Sequence, residues 1–285
     1  MVSENTEDRY AVAHLRLVPK RHIGRAIAAG IVLLVLAAIV WAFSVGQIEW
    51  PVVGKYLFAP PILSGLWNTI VMTFAAMTVG IVIGVLIAVM RISDNPVLTS
   101  IAAGYVWIFR GSPALLQLMI WFNLALIFPT IGIPGLFEFR TVDVMTPFVA
   151  TLLGLGMSQG AYTSEVVRSG LLSVDSGQYE AARTIGMTQG KMLRRIVLPQ
   201  AMRVMVPPIG NEVINMVKLT SLASVIQYSE ILNNAQIIYY ANTRVLELLL
   251  VASFWYMVVV SVLSILQGYI ERYYGRGSKP ISAQK

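Results

Sequence analysis

Cysteine is absent from the 285-residue chain. A disulfide framework and a thiolate metal site are therefore both impossible. Histidine is nearly absent too: His14 and His22 stand alone near the N-terminus and make no credible metal site. Charge is sparse, at 12% of residues, against roughly 25% in an ordinary soluble domain. A phosphate-cradling loop is also missing. The pattern G-x-x-x-x-G-K-[ST] brings backbone amides to phosphate and a hydroxyl to magnesium. The nearest stretch, Gly190-Lys191, is followed by Met192 and has Ile185 where the first glycine belongs. Neither a metal nor a nucleotide cofactor is expected on this chain.

Apolar sequence is abundant. Hydrophobic residues make up 56% of the chain, and the mean hydropathy is +0.71. A bilayer crossing needs roughly 20 mostly apolar residues, and several runs meet that requirement. Soluble folds are excluded, and the expected fold class is an all-α integral membrane protein. The net charge of +7 does not indicate nucleic acid, because the basic residues cluster at the ends of apolar runs, where they set topology.

Six membrane helices are expected, at 26–45, 62–90, 104–128, 145–167, 206–226 and 246–270. Residues 1–25 form a polar tail ending in Lys20, Arg21 and Arg25. A basic stretch before an apolar run also resembles a signal peptide. This run is long enough to span, however, and no A-x-A cleavage pattern follows it. It is expected to be an uncleaved anchor helix, with an outer loop reaching residue 60. Gly80 and Gly84, and then Gly154, Gly156 and Gly160, offer small-residue faces for close helix packing. Arg110-Gly111-Ser112-Pro113 predicts a bend near the start of the third run, since proline disfavours helix in the residue before it.

An even number of spans puts both termini on one side. Of the 21 Lys and Arg residues, only Lys55, Arg140 and Arg244 fall outside if that side is the cytoplasm, with Lys218 inside a span. The positive-inside rule selects this orientation. The outer loops are expected at 129–141 and 233–244, and a tail at 273–285.

The longest cytoplasmic connection, about 169–205, carries the clearest local signals. Asp175 is a suitable N-cap, with Gln178 placed to complete a capping box. Ala181, Ala182 and Ile185 give a short helix one small apolar patch. Gly186 suits a helix C-terminus, where a left-handed backbone is often needed. Thr188 starts a second short helix carrying Lys191, Arg194 and Arg195 and ending at Leu198-Pro199. Such a unit could rest on lipid headgroups or dock a partner protein.

The spacing of Glu180-Ala181-Ala182, Gly186, Ile196 and Leu198-Pro199 resembles the EAA loop of ABC-importer permeases. Further stretches resemble the polar amino-acid uptake branch of type I importers. These are Phe109-Arg110-Gly111-Ser112-Pro113 with Gln117, Gly160-Ala161-Tyr162 with Glu165 and Arg168, Gly177-Gln178, Pro199-Gln200-Ala201 and Lys218-Leu219-Thr220-Ser221-Leu222. The resemblance implies a five-helix importer core over 61–272, preceded by one extra helix, in a prokaryotic inner membrane. It implies a transport subunit rather than an enzyme. Two ATP-binding cassette subunits would bind ATP and magnesium and dock on the loop through its first short helix. A second permease subunit, the same or related, would complete the path, and an extracytoplasmic amino-acid-binding protein would deliver the ligand.

Polar groups within the spans are path or gate candidates, since intramembrane charge is costly and by default functional. Asn211, Asn215 and Lys218 are spaced to form one helical stripe, with Glu212 one position off it. Lys218 could pair with Glu165 or a carbonyl, line a gate, or touch substrate. Arg110 could anchor at the interface or gate at the bend. Asn68, Thr69, Thr73 and Gln117 could line the path or join helices. Two other readings compete: an ion-coupled transporter using Glu165 and Lys218, or a structural membrane protein.

Overall fold

Proline and short polar caps fix where most of the helices begin. The computed structural model describes residues 23–133 and 135–275, so most of the expected N-terminal tail, with Lys20 and Arg21, and most of the C-terminal tail lie outside the described residues. Contacts divide the chain into two units, Met1–Ile48 and Glu49–Lys285.

The first unit holds helix α1, Ile23–Val45. Its side chains from Ile27 onward are exposed all round, and Ile27–Val45 has a mean hydropathy of 2.6. A helix apolar on every side is one that lipid can solvate.

The second unit begins with α2, Trp50–Leu57, and α3, Pro60–Ile92. Next come α4, Pro96–Gly111, and α5, Ala114–Phe122. A hairpin of β1, Thr130–Ile133, and β2, Phe137–Arg140, leads to the short α6, Thr141–Val144. Helix α7 spans Pro147–Leu172, followed by α8, Ser176–Thr184, and α9, Gln189–Met192. A π turn at Leu193–Val197 runs directly into α10, Leu198–Leu219. A 3-10 segment, Thr220–Ile226, precedes α11, Ile231–Asn242, and α12, Val245–Tyr274. Prolines open α3, α4 and α7, where the missing N–H has no intrahelical partner to lose. Asn95 and Thr146 cap α4 and α7 by accepting the N–H groups of Val97 and Val149.

Among the described residues, three helices are long and apolar enough to cross a membrane on their own terms: Ile27–Val45 in α1, then α3 and α12. Of the other expected spans, the fourth is the continuous helix α7, and two take less regular forms. The third breaks at Ser112-Pro113, where the sequence places the bend, but its first helix begins at Pro96 rather than near residue 104, so the break falls mid-span. The fifth starts earlier than expected, contains Pro207 and Pro208, and passes into the 3-10 segment. The second cytoplasmic helix does not end at Leu198-Pro199 but continues through the π turn into α10. The expected outer loops are also structured. Residues 129–141 contain the hairpin, and 233–244 is mostly α11, which Glu230 caps by accepting from Leu232 N (2.9 Å) and Asn233 N (2.6 Å). The segment after Ile48, grouped in the sequence with the extra helix, packs with the second unit. There Trp255 Nε1 donates to Leu57 O at 2.7 Å.

The small-residue faces serve close packing as expected, and the structure shows that they meet each other. A Cβ at Gly84 would lie 2.6 Å from Thr163 Cβ, and one at Gly80 would lie 2.6 Å from Gln159 Cγ. Gly156 and Gly160 meet Val79 and Ile83 in return, so α3 and α7 lie nearly backbone to backbone at the centre of the unit.

Candidate functional site

Helix α7 presents Gly156 and Gly160 to α3 and turns Ser158, Gln159 and Tyr162 partly toward a cleft of about 780 Å³. Helix α10 supplies Glu212, Asn215, Lys218 and Leu219 to the opposite wall, and the α4–α5 elbow supplies Arg110 to Ala114. The spacing of three or four residues on α10 puts its contributors on one helical face. The cleft thus holds two cations, one carboxylate and several neutral hydrogen-bonding groups. The side chains of Gln159 and Asn215 lie near Glu212, so polar groups of the two walls approach one another.

The expected stripe is rotated by one position. Asn215 and Lys218 face the cleft, but Asn211 faces α12, where its Nδ2 donates to Glu271 Oε1 at 3.2 Å. Asn211 and Glu212 flank Asn215, and contact with α12 decides between them. Gly210 allows that contact, since a Cβ there would lie 1.9 Å from Gln267 Oε1. Gln267 Nε2 also donates to the Pro207 carbonyl at 2.8 Å.

Glu165 does not pair with Lys218. It sits between Arg91, in direct contact, Arg168 at 3.2 Å and Arg110 at 3.7 Å. Lys218 forms no ion pair among the described residues. Arg110 belongs to both groups: its guanidinium lies 5.2 Å from the Tyr162 ring centroid, and it lines the cleft. The other path candidates make hydrogen bonds within and between elements. Gln117 is buried, and its amide nitrogen donates to Phe109 O (3.0 Å) and Ser112 O (3.1 Å) across the elbow. Asn68 donates to Ser229 O at 2.8 Å, and Thr69 Oγ1 accepts from Ile231 N at 3.3 Å. Thr73 bonds back to Thr69 O. Asn68 and Thr69 fasten α3 to the start of α11, whereas the Thr73 bond lies within α3. Among the described residues no cluster of His, Asp and Glu is suited to a metal.

Sequence reasoning missed Ser158, Gln159 and Tyr162. The available signal was their position beside Gly160, as polar groups on a helix whose small residues had to face a neighbour. Arg91 was read as a topological charge alone, because its partner is 74 residues away.

In the loop, Asp175 caps α8 through Gly177 N at 2.8 Å, one residue earlier than a capping box requires. The helix ends in a Schellman motif: Met187 N donates to Ala182 O (3.0 Å) and Gly186 N to Arg183 O (2.9 Å), with Gly186 at φ 73°. The expected apolar patch is divided. Ala182 is buried in a cluster with Val174, Met192, Val197 and Ala201, whereas Glu180, Ala181, Ile185 and Gly186 are exposed. Ile196 and Leu198 are half-buried, and Pro199 is exposed.

Residues 80–276 match the family described as "Binding-protein-dependent transport system inner membrane component". The chain is 40% identical over 263 residues to the arginine transport system permease protein ArgU of Corynebacterium glutamicum, covering 91% of this chain and 83% of that one. It is 37% identical over 226 residues to the L-cystine transport system permease protein TcyB of Bacillus subtilis, covering 79% and 91%. Among solved structures, a chain of an amino acid ABC transporter with histidines superposes with a TM-score of 0.69 at 32% identity. That match covers 80% of this chain and all of that one.

Proposed function

Because this chain belongs to the family of binding-protein-dependent transport system inner membrane components, we propose that its cleft is the path by which an ABC importer carries a polar amino acid. The chain is a transport subunit of such an importer, and ATP hydrolysis falls to separate ATPase subunits. The observation that carries the path assignment is the placement of Arg110, Lys218 and Glu212 around one cleft. Opposite charges held a few residues apart suit a ligand bearing both a carboxylate and an ammonium group, and uncompensated charge within a span is otherwise costly.

The rest of the machine follows from the same reading. Six spans with both termini in the cytoplasm bring the 169–205 loop to the ATPase side of a prokaryotic inner membrane. Two ATPase subunits dock on two permease subunits through the exposed edge of α8, formed by Glu180, Ala181 and Ile185. Ala182, Ile196 and Leu198 brace that edge from within. An extracytoplasmic binding protein loads the ligand, and ATP favours one of the two access states.

The test is uptake by proteoliposomes holding the permease, its ATPase and its binding protein. Lys218→Ala is expected to lower ATP-dependent uptake at least tenfold while the ATPase still co-purifies with the permease. Loss of co-purification instead would make Lys218 a structural residue and remove it from the path.

A further inference from the structure

The β1–β2 hairpin is amphipathic, and among the described residues nothing covers its apolar face. Its register pairs Ile131 with Phe139 and Ile133 with Phe137. Side chains alternate across a strand, so these four apolar groups share one face. Thr130, Gly132, Glu138 and Arg140 share the other. Ile133, Phe137 and Phe139 are each about half exposed, and the two phenyl rings lie side by side along β2, with centroids 6.0 Å apart. Gly132 is required by the tight pairing, since a Cβ there would lie 2.0 Å from Phe137 O. The base is closed by Thr141, which donates its N–H to Pro129 O at 3.0 Å and its hydroxyl to Phe128 O. A two-stranded hairpin is at best marginally stable in water without something against its apolar face.

We propose that this face lies in the boundary between headgroups and acyl chains of the membrane leaflet at the end of α5. Two observations select lipid as the occupant. First, the apolar surface is continuous. Leu116, Met119 and Ile120 form an exposed stripe on α5, and Leu126, Ile127 and Phe128 carry it, also exposed, to the sheet. Second, the polar face carries no single sign of charge. Glu138 and Arg140 lie beside each other, and Arg140 pairs with Asp143 at 3.8 Å, so nothing there steers a charged protein toward the hairpin. Phenylalanine and aliphatic side chains on the apolar face of an amphipathic element bury at the boundary of headgroups and acyl chains. The proposal rests on the reading that α4 and α5 together cross the membrane.

The lack of native cysteine allows a direct test. Single variants Ile120→Cys, Phe137→Cys, Glu138→Cys and Phe139→Cys would carry a nitroxide on the full chain, assembled with its ATPase subunits in nanodiscs of zwitterionic lipid. Accessibility to oxygen and to a water-soluble nickel chelate is then compared by electron paramagnetic resonance. Labels at 120, 137 and 139 are expected to favour oxygen and the label at 138 to favour nickel, with no change when anionic lipid is added. Nickel access at 137 and 139, with 120 still favouring oxygen, would overturn the lipid contact alone. Exclusion of both reagents at 137 and 139 would also overturn it, and would assign the face to a second copy or another protein. Nickel access at 120 as well would show that the membrane reading of α5 had failed.

Discussion

Three guanidinium groups from three helices converge on one carboxylate at Glu165. Arg91 comes from α3, Arg110 from α4, and Arg168 lies one turn along α7 from Glu165 itself. Removing the carboxylate leaves like charges in a partly desolvated place, so the loss exceeds that of a surface pair. Glu165→Gln is expected to cost roughly 2 kcal/mol, read as a lower unfolding temperature of the purified chain. A double-mutant cycle should find stronger coupling to Arg91 than to Arg110, which is farther away and also rests on Tyr162. Equal couplings would mean that the cluster acts only through its summed charge. Glu165 and Arg110 stood out in the sequence as charges near span ends. Their joining did not, because Arg91 lies far away in the chain and meets Glu165 only once the glycine faces of α3 and α7 have packed.

At the scale of the element, α8 shows what local signals convey and what they leave open. Its cap, its length and its terminating glycine depend on neighbours within a few residues, and all three are legible. Which alanine faces inward depends on Val174, Met192 and Val197, contributed by three separate stretches, and that is not. Helix α11 was hidden for a related reason: its cap is a buried glutamate held by Tyr256 from α12, and its run is too short and polar to resemble a span. At Gly186 the demand is conformational, since φ is positive and nothing lies within 4 Å of a Cβ there. A β-branched residue in the left-handed region costs about 1–2 kcal/mol, and asparagine less. Gly186→Val is therefore expected to lower the ligand-stimulated ATPase rate of the reconstituted importer more than Gly186→Asn does, with both variants inserted at normal levels. Glu180→Lys, on the exposed edge, should weaken ATPase co-purification without lowering thermal stability. A stability loss in that variant would place Glu180 with Ala182, in the bracing rather than the docking of the loop.

For the whole molecule, orientation decides whether the loop and the cleft can serve one machine. The loop must face the ATPases, and the residues Arg140 and Arg244 must face the other way for the basic bias to hold. Arg244 is ion-paired with Glu49 and Arg140 with Asp143, while Lys55, the third basic residue assigned to the outer side, has no ion-pair partner among the described residues. Pairing is not what sets topology: the number of Lys and Arg residues on each side does, and acidic neighbours contribute little. Arg183, Lys191, Arg194, Arg195 and Arg203 all lie in the one loop expected to face the cytoplasm. Cysteine introduced singly at Arg140 should react with an impermeant maleimide in intact cells, and cysteine at Lys191 only in inside-out vesicles. The α8 edge adds a second readout. Cysteine at Ala181 should label in inside-out vesicles of the permease expressed alone and be protected when its ATPase is co-expressed, because only a docked partner covers that exposed side chain. Labelling of Lys191→Cys in intact cells would invert the topology and detach the loop from any cytoplasmic ATPase. Unchanged labelling of Ala181→Cys with the ATPase bound would keep the topology but move the docking surface off α8.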